Sequence, residues 1–161
     1  MLHPGRIDAA TSQPATMRII QVARLPDGLG ELAADAIADG HRMVEVLRED
    51  WEAGTLRFDA WGQALFTARI GPALVGLCGL TRDPYLQGEV AGRVRRLYVR
   101  RAARRFGAGR ALVEAVAAQA LAQGYYRLRL RSPASAFAFY ESCGFLRLVG
   151  EGGATHARSL A

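Results

Sequence analysis

The stretch from Leu97 to Val113 constrains the fold more than any other part of this sequence. An apolar strand end, Leu97 to Val99, leads into an arginine-rich turn, and Gly107 and Gly109 then precede a helix rich in alanine and leucine. The first turn of a helix has backbone N–H groups without partners, and the helix dipole adds partial positive charge there. Glycine lets a ligand approach such a turn closely because it has no Cβ. The stretch therefore predicts a phosphate-binding turn between a strand and a helix.

The chain has 161 residues, half of them hydrophobic, which suits one domain with its own core. We expect a flexible N-terminal tail over residues 1–16 and a single domain over residues 17–161. No apolar run is long enough to cross a bilayer, and the widely separated Cys78 and Cys143 indicate free thiols, so we expect a cytoplasmic protein. Three isolated histidines and no paired Cys/His spacing give a metal site no support.

The charge distribution points to a polyanionic partner. The net charge of +6 arises from 21 basic residues, all of them arginine, against 15 acidic ones. The segment from Arg93 to Arg110 contains eight arginines and no acidic residue. Such a block indicates either nucleic acid or a phosphorylated cofactor. Because the block lacks aromatic interleaving and adjoins the glycine turn, the sequence favours the cofactor.

Hydrophobic periodicity predicts the order β, α, α, β, β, β, α, β, α, β, with a further strand near the end. The predicted strands are residues 17–24, 64–69, 73–80, 93–99, 125–131, 145–149 and 154–160, and the longest helix covers 107–123. Gly76 and Gly79 within the third strand indicate a bulge or a close backbone contact. In the fifth strand, leucines alternate with arginines, which predicts leucines facing inward and arginines on the other face. The pattern is that of a mixed α+β domain.

Two motifs resemble those of the GNAT superfamily, the acetyl-CoA-dependent N-acyltransferases. Leu97-Tyr98-Val99 followed by Arg104-x-x-Gly107-x-Gly109 resembles the pyrophosphate-binding motif of that family. Ala136-x-x-Phe139-Tyr140-x-x-x-Gly144-Phe145 resembles its second signature, an aromatic–tyrosine pair before Gly-Phe. The two stand in the family's order, separated by a helix and a strand of suitable length.

The resemblance implies a GNAT-like fold, in which about four helices flank a twisted, mostly antiparallel sheet of six or seven strands. A splayed strand pair then forms the cofactor site. The implied function is transfer of an acetyl group from acetyl-CoA, without a metal, to the primary amine of a small molecule or peptide by direct attack. The acceptor is not identified by any motif. Homodimers are a common outcome for this fold, and no membrane partner is implied.

The resemblance also assigns residues to the cofactor. Leu97, Tyr98 and Val99 would hold the pantetheine arm and the thioester, and the phosphates would bind Arg104, Arg105, Phe106, Gly107, Ala108, Gly109, Arg110 and Ala111. Ala136, Phe139 and Tyr140 complete the implied site. A backbone N–H at the strand end, from Val99 or Tyr98, would polarise the thioester carbonyl. Tyr140 would act as the general acid toward the leaving thiolate.

One position departs from the family pattern. The family often has a glutamate base six residues before the position of Val99, and this chain has Arg93 there, which cannot serve as a base. Glu89 and Asp83 are the substitutes, or the enzyme uses amine that is already neutral. The departure leaves open a non-catalytic acyl-CoA-binding module of the same fold. An arginine-rich nucleic-acid binder is the third interpretation.

Overall fold

Seven strands form one sheet in the computed structural model, which describes residues 16–160. They are β1 (Met17–Gln21), β2 (Ala64–Ile70), β3 (Ala73–Arg82), β4 (Gly92–Val99), β5 (Arg127–Leu130), β6 (Leu146–Arg147) and β7 (His156–Ser159). Their order in the sheet is β1-β2-β3-β4-β5-β7-β6, and β4 and β5 are the parallel pair among otherwise antiparallel neighbours. The predicted fold class is therefore confirmed. Apart from Thr16, the predicted tail lies outside the described residues.

Four α-helices cover the two faces of the sheet. They are α1 (Leu29–Ala38), α2 (Met43–Ala53), α3 (Ala108–Ala122) and α4 (Phe137–Ser142), with short 3₁₀ turns at Arg101–Ala103 and Ala134–Ala136. Apolar residues of α3 pack with one face of the sheet, and those of α1 and α2 pack with the other. Within the described part of the chain, no helix combines the length and the apolar character that crossing a membrane requires.

The parallel strands β4 and β5 separate soon after they meet. Their register contains two pairs, Gly92 with Leu128 and Arg93 with Arg129. Farther along β4, two residues lie opposite one residue of β3, and Arg96 has a left-handed φ of 58°. Such a bulge bends and twists its strand, which turns the end of β4 away from β5. The predicted splayed strand pair is present at this point.

The glycines of β3 are required by close contacts. A Cβ on Gly79 would lie 2.4 Å from the ring of Phe58, and a Cβ on Gly76 would lie 2.9 Å from the carbonyl oxygen of Tyr98. The predicted close approach is thus confirmed at both positions. Strand β6 is shorter than the predicted 145–149 because only Leu146 and Arg147 pair with β7.

Candidate functional site

A cleft of about 1040 Å³ opens where β4 and β5 separate. Its walls come from β4, the N-terminal turn of α3, the segment between β5 and α4, and the loop between α1 and α2. The fold brings most of the predicted cofactor residues together here, namely Leu97, Tyr98, Val99, Arg104, Arg105, Gly107, Ala108, Gly109, Arg110, Ala136, Phe139 and Tyr140. The predicted residues Phe106 and Ala111 do not line the cleft, and the side chain of Phe106 is exposed.

The N-terminal turn of α3 offers unpaired backbone donors to the cleft. Arg105 and Gly107 have positive φ values of 77° and 80°, which reverse the chain immediately before the helix. The N–H of Ala111 donates to the carbonyl oxygen of Gly107 at 3.0 Å, so Ala111 is not available to a ligand. The N–H groups before it, from Ala108 to Arg110, precede the first intrahelical bond. This turn is therefore suited to an anion.

The two glycines of the turn have different physical roles. A Cβ on Gly107 would meet nothing within 4 Å, so the space beside it is open to a ligand. A Cβ on Gly109 would lie 3.1 Å from the ring of Phe139, so this glycine allows α3 to pack against α4. The prediction that a ligand approaches both glycines is therefore compatible with the open space beside Gly107, whereas Gly109 brings the two motifs into contact.

The arginines of the turn are not equivalent. Arg104 donates from Nε to the carbonyl oxygen of Val99 at 3.2 Å, and its guanidinium also binds the carboxylate of Asp39. Arg110 donates to the carbonyl oxygen of Ser142 at 3.0 Å, at the end of α4. Arg105 is exposed and has no hydrogen bond or ion pair to any residue between 16 and 160. The side chain of Arg105 is thus the one most available to a phosphate.

The end of β4 directs a backbone donor toward the cleft. Arg100 donates its N–H to the carbonyl oxygen of Val75 on β3 at 2.6 Å. Successive peptide groups of a strand point to opposite sides, so the N–H of Val99 points away from β3.

The Tyr98 hydroxyl donates to Asp35 on α1 at 2.6 Å, and burial and this carboxylate raise the pKa of Tyr98. The Tyr98 side chain therefore anchors β4 to α1.

Tyr140 lies at the inner wall of the cleft. It is 8% exposed and packs edge-to-face against Phe139 and Phe145, with ring centroids 5.1 and 5.8 Å away. Burial, and secondarily the nearby thiols of Cys78 and Cys143, raise the pKa of its hydroxyl above the ordinary value. A tyrosine hydroxyl already keeps its proton at neutral pH, and burial reinforces that state, which is the one that a proton donor requires.

The two predicted substitutes for a base lie outside the cleft lining. Glu89 lines a separate hollow of about 620 Å³ and binds Arg127 at 3.0 Å. The Tyr126 hydroxyl and the charge of Arg127 hold the pKa of Glu89 below its ordinary value. Asp83 is 1% exposed, and its carboxylate accepts from both Arg93 at 3.4 Å and Arg129 at 3.0 Å.

The fifth strand therefore differs from its sequence pattern in one respect. Arg127 and Arg129 lie on the opposite face of β5 from Leu128 and Leu130, as predicted, but Arg129 is fully buried. Its guanidinium donates to Asp83, to Glu151 and to the carbonyl oxygen of Gly152. Alternation on one strand could not reveal this, because the partners come from two distant loops.

Sequence reasoning missed His41 and Arg95 as residues that line the cleft. His41 lies in the loop between α1 and α2, and its Nε2 is 3.8 Å from the carboxylate of Asp39. No sequence motif surrounds this histidine, so only the folded position of the loop indicates it. Among described lining residues Asp39 is the single carboxylate, and it is bound by Arg104.

A splayed sheet and an anion-binding helix end thus line one cleft, as the resemblance to the acetyl-CoA-dependent acyltransferases implies. The model of the acetyltransferase (GNAT) family matches residues 31–145, which is well over half of the sequence. The chain therefore belongs to the GNAT acetyltransferase family, and the resemblance drawn from its motifs is confirmed. No curated protein matches this chain significantly.

Solved structures share the fold over nearly the whole chain. A protein from Exiguobacterium sp. 255-15 that is assigned to the acetyltransferases has 27% identity and a TM-score of 0.79, with 89% of this chain and 93% of that chain covered. An acetyltransferase of the GNAT family from Staphylococcus aureus Mu50 has 18% identity and a TM-score of 0.71, with 91% and 100% covered. These similarities confirm the architecture and name no acceptor for this chain.

Asp83→Asn should destabilise the protein by about 3–5 kcal/mol, because it leaves the buried guanidinium of Arg93 without a countercharge and removes one of the two carboxylates that bind Arg129. Urea unfolding followed by circular dichroism measures the loss. Glu89→Gln is the matched control, since the Glu89 side chain is 44% exposed in its ion pair with Arg127 and its charge should contribute little to stability. Equal stability of the two variants would contradict a structural role for Asp83.

Proposed function

We propose that this chain transfers an acetyl group from acetyl-CoA to the primary amine of a small molecule or peptide by direct attack. The observation that carries the proposal is one cleft containing both an unpaired helix N-terminus and a buried tyrosine. The first feature suits a phosphate-bearing cofactor, and the second suits the departure of a thiolate.

The residues at the N-terminus of α3 fit the phosphates of coenzyme A. Gly107 leaves open space beside the free N–H groups, and the unpaired guanidinium of Arg105 adds charge. Leu97 and Val99 lie at the β4 edge that β5 no longer covers, so their backbone can pair with the amides of the pantetheine arm. Bound in this way, acetyl-CoA supplies an activated acetyl thioester.

Two groups of the chain would then assist the transfer. The N–H of Val99 donates to the carbonyl oxygen as negative charge develops on it. The amine nitrogen forms a bond to the acetyl carbon while the carbon–sulfur bond breaks, and Tyr140 protonates the departing sulfur. The nitrogen must also lose one proton, so the products are an N-acetyl amine and the free thiol of coenzyme A.

The proton acceptor is the part of the mechanism with competing candidates. His41 lines the cleft and could accept the proton in its neutral form. Glu89 would need water molecules to relay the proton from the cleft into the adjacent hollow. A third route is capture of amine that is already neutral in solution, which needs no base.

A second candidate function is an acyl-CoA-binding module without catalysis. The specific observation in its favour is that the one carboxylate in the described lining, Asp39, is occupied by Arg104. Such a module would bind acetyl-CoA through the same turn but would release no coenzyme A when amines are added.

Gly107→Val should weaken acetyl-CoA binding by at least about tenfold, because the side chain occupies the space beside the free N–H groups. Isothermal titration calorimetry measures the affinity. Gly124→Val is the matched control, since Gly124 has a positive φ of 89° at the other end of α3 and equally open surroundings. If both variants bind acetyl-CoA like the unaltered chain, the assigned phosphate site is wrong.

Tyr140→Phe should lower kcat by about 10²-fold while leaving acetyl-CoA affinity largely unchanged, because only the proton donor is removed. Release of free thiol from acetyl-CoA across a panel of amines and peptides measures turnover. Tyr126→Phe, at an exposed tyrosine outside the cleft, is the control. Unaltered turnover in Tyr140→Phe would make Tyr140 a packing residue, and no thiol release with any acceptor would favour the binding module.

His41→Gln should lower kcat/KM at neutral pH by up to about 10²-fold if the imidazole is the base, because glutamine cannot accept the proton. Glu89→Gln provides the matched comparison, and we expect it to leave the rate nearly unchanged. The opposite pattern would transfer the role to Glu89. Equal rates in both variants would indicate capture of neutral amine.

A further inference from the structure

Three arginines of β4 line the cleft on the side of the sheet opposite to α3. We refer to Arg93, Arg95 and Arg96 as the β4 arginine cluster. Arg95 is paired with Gly79, whose missing side chain would meet Phe58 in the core beneath α1 and α2. Directly paired residues of an antiparallel ladder point to the same face, so Arg95 points toward that side.

Two members of the cluster have carboxylate partners. Arg93 binds Asp83 at 3.4 Å and lies over the ring of Tyr85, with its Cζ 4.8 Å from the ring centroid. Arg96 binds Asp50 on α2 at 3.3 Å. The positive charges of both are thus compensated within the fold.

Arg95 differs from its two neighbours. Its side chain is half-buried, yet it has no hydrogen bond or ion pair to any residue in the range 16–160. Burial first, and then the positive charges of Arg96 and Arg93, lower the pKa of its guanidinium. Partial desolvation without a countercharge is costly for a cation, and an incoming anion would remove that cost.

The other cleft arginines do not present the same situation. Arg105, Arg110 and Arg131 also lack a carboxylate partner among the described residues, but their side chains are exposed and water can solvate them. Arg105 and Arg110 lie beside the N-terminus of α3, where the phosphates of coenzyme A would bind. Arg95 is four residues up β4 from Val99, roughly 10–13 Å along an extended strand. Its anion would therefore belong to the acceptor rather than to the cofactor.

We propose that the acceptor amine carries a second, oxyanionic group, a carboxylate or a phosphate, that binds the guanidinium of Arg95. This inference rests on the proposed acetyl transfer and adds the chemical class of the acceptor. Arginine offers a planar pair of N–H donors that matches either oxyanion, so it can fix the orientation of the acceptor as well as its charge. A bound oxyanion would hold the amine end toward Val99 and Tyr140.

The cluster also predicts which amines are rejected. Seven arginines and one carboxylate line the cleft among the described residues. A diamine or polyamine would place a second positive charge against this surface with no free carboxylate to receive it. Acceptors with two positive charges should therefore be the poorest substrates.

Matched pairs of small amines test the proposal. Ethanolamine phosphate is compared with ethanolamine, and β-alanine with propylamine, while putrescine supplies the dicationic case. Thiol release from acetyl-CoA gives kcat/KM, and the melting temperature of the protein saturated with coenzyme A gives amine binding independently of turnover. We expect both acidic amines to exceed the matched amines that lack an oxyanion by about 10- to 100-fold in kcat/KM, and the better of the two identifies the oxyanion.

The variant Arg95→Met keeps the length and apolar stem of the side chain and removes its charge. It should abolish the preference for acidic amines, in both rate and melting temperature, while acetyl-CoA affinity stays unchanged. Arg24→Met, at an exposed arginine outside the cleft, should retain the preference. Arg95→Lys should restore part of it, which a merely structural role would not explain.

The outcomes separate this inference from the proposed function. Loss of acetyl-CoA binding, or of all thiol release, is a failure of the proposed transfer, and the melting temperatures of the protein with each amine still decide the oxyanion site. Equal or better use of ethanolamine, propylamine or putrescine would overturn the inference. A preference for acidic amines that persists in Arg95→Met would overturn it as well.

Discussion

The separation of β4 from β5 is the constraint on which the rest of this structure depends. A parallel pair that stayed in register would satisfy its backbone groups internally and would leave no cleft. The pair here ends after Arg93 and Arg129, and the bulge at Arg96 turns the end of β4 away. The freed edge then faces the N-terminus of α3, so peptide donors from a strand and from a helix converge on the same space.

The placement of charge around that space follows from which carboxylates the fold uses internally. Asp83 forms ion pairs with two buried guanidinium groups, Asp50 forms one with Arg96, and Asp39 forms one with Arg104. Each pair fixes an arginine near the cleft, but together they leave its lining strongly cationic. A surface of this kind suits a cofactor with several phosphates at one end, and it raises the cost of a polycationic acceptor at the other.

Local patterns predicted most of the elements because their physics is local. Apolar spacing predicted the α3 face, alternation predicted β5, and the glycine turn predicted the helix end that lines the cleft. The order and spacing of the two motifs in the sequence indicated one shared site, and the close packing of Gly109 against Phe139 shows where the two motifs meet. Strand lengths were less predictable, because the length of β6 depends on how many of its residues pair with β7, and only two do.

The sequence by itself determined the family, the order of elements and the glycine turn before α3, because each depends on neighbours a few positions apart. Only the tertiary structure decided the roles of charged side chains. Arg129 and Arg95 lie in similar runs of alternating residues. Arg129 is buried and forms an ion pair with a carboxylate, whereas Arg95 is half-buried and has no carboxylate partner among residues 16–160. Partners for such groups come from distant loops, so their charge balance is set by the packing of the whole chain.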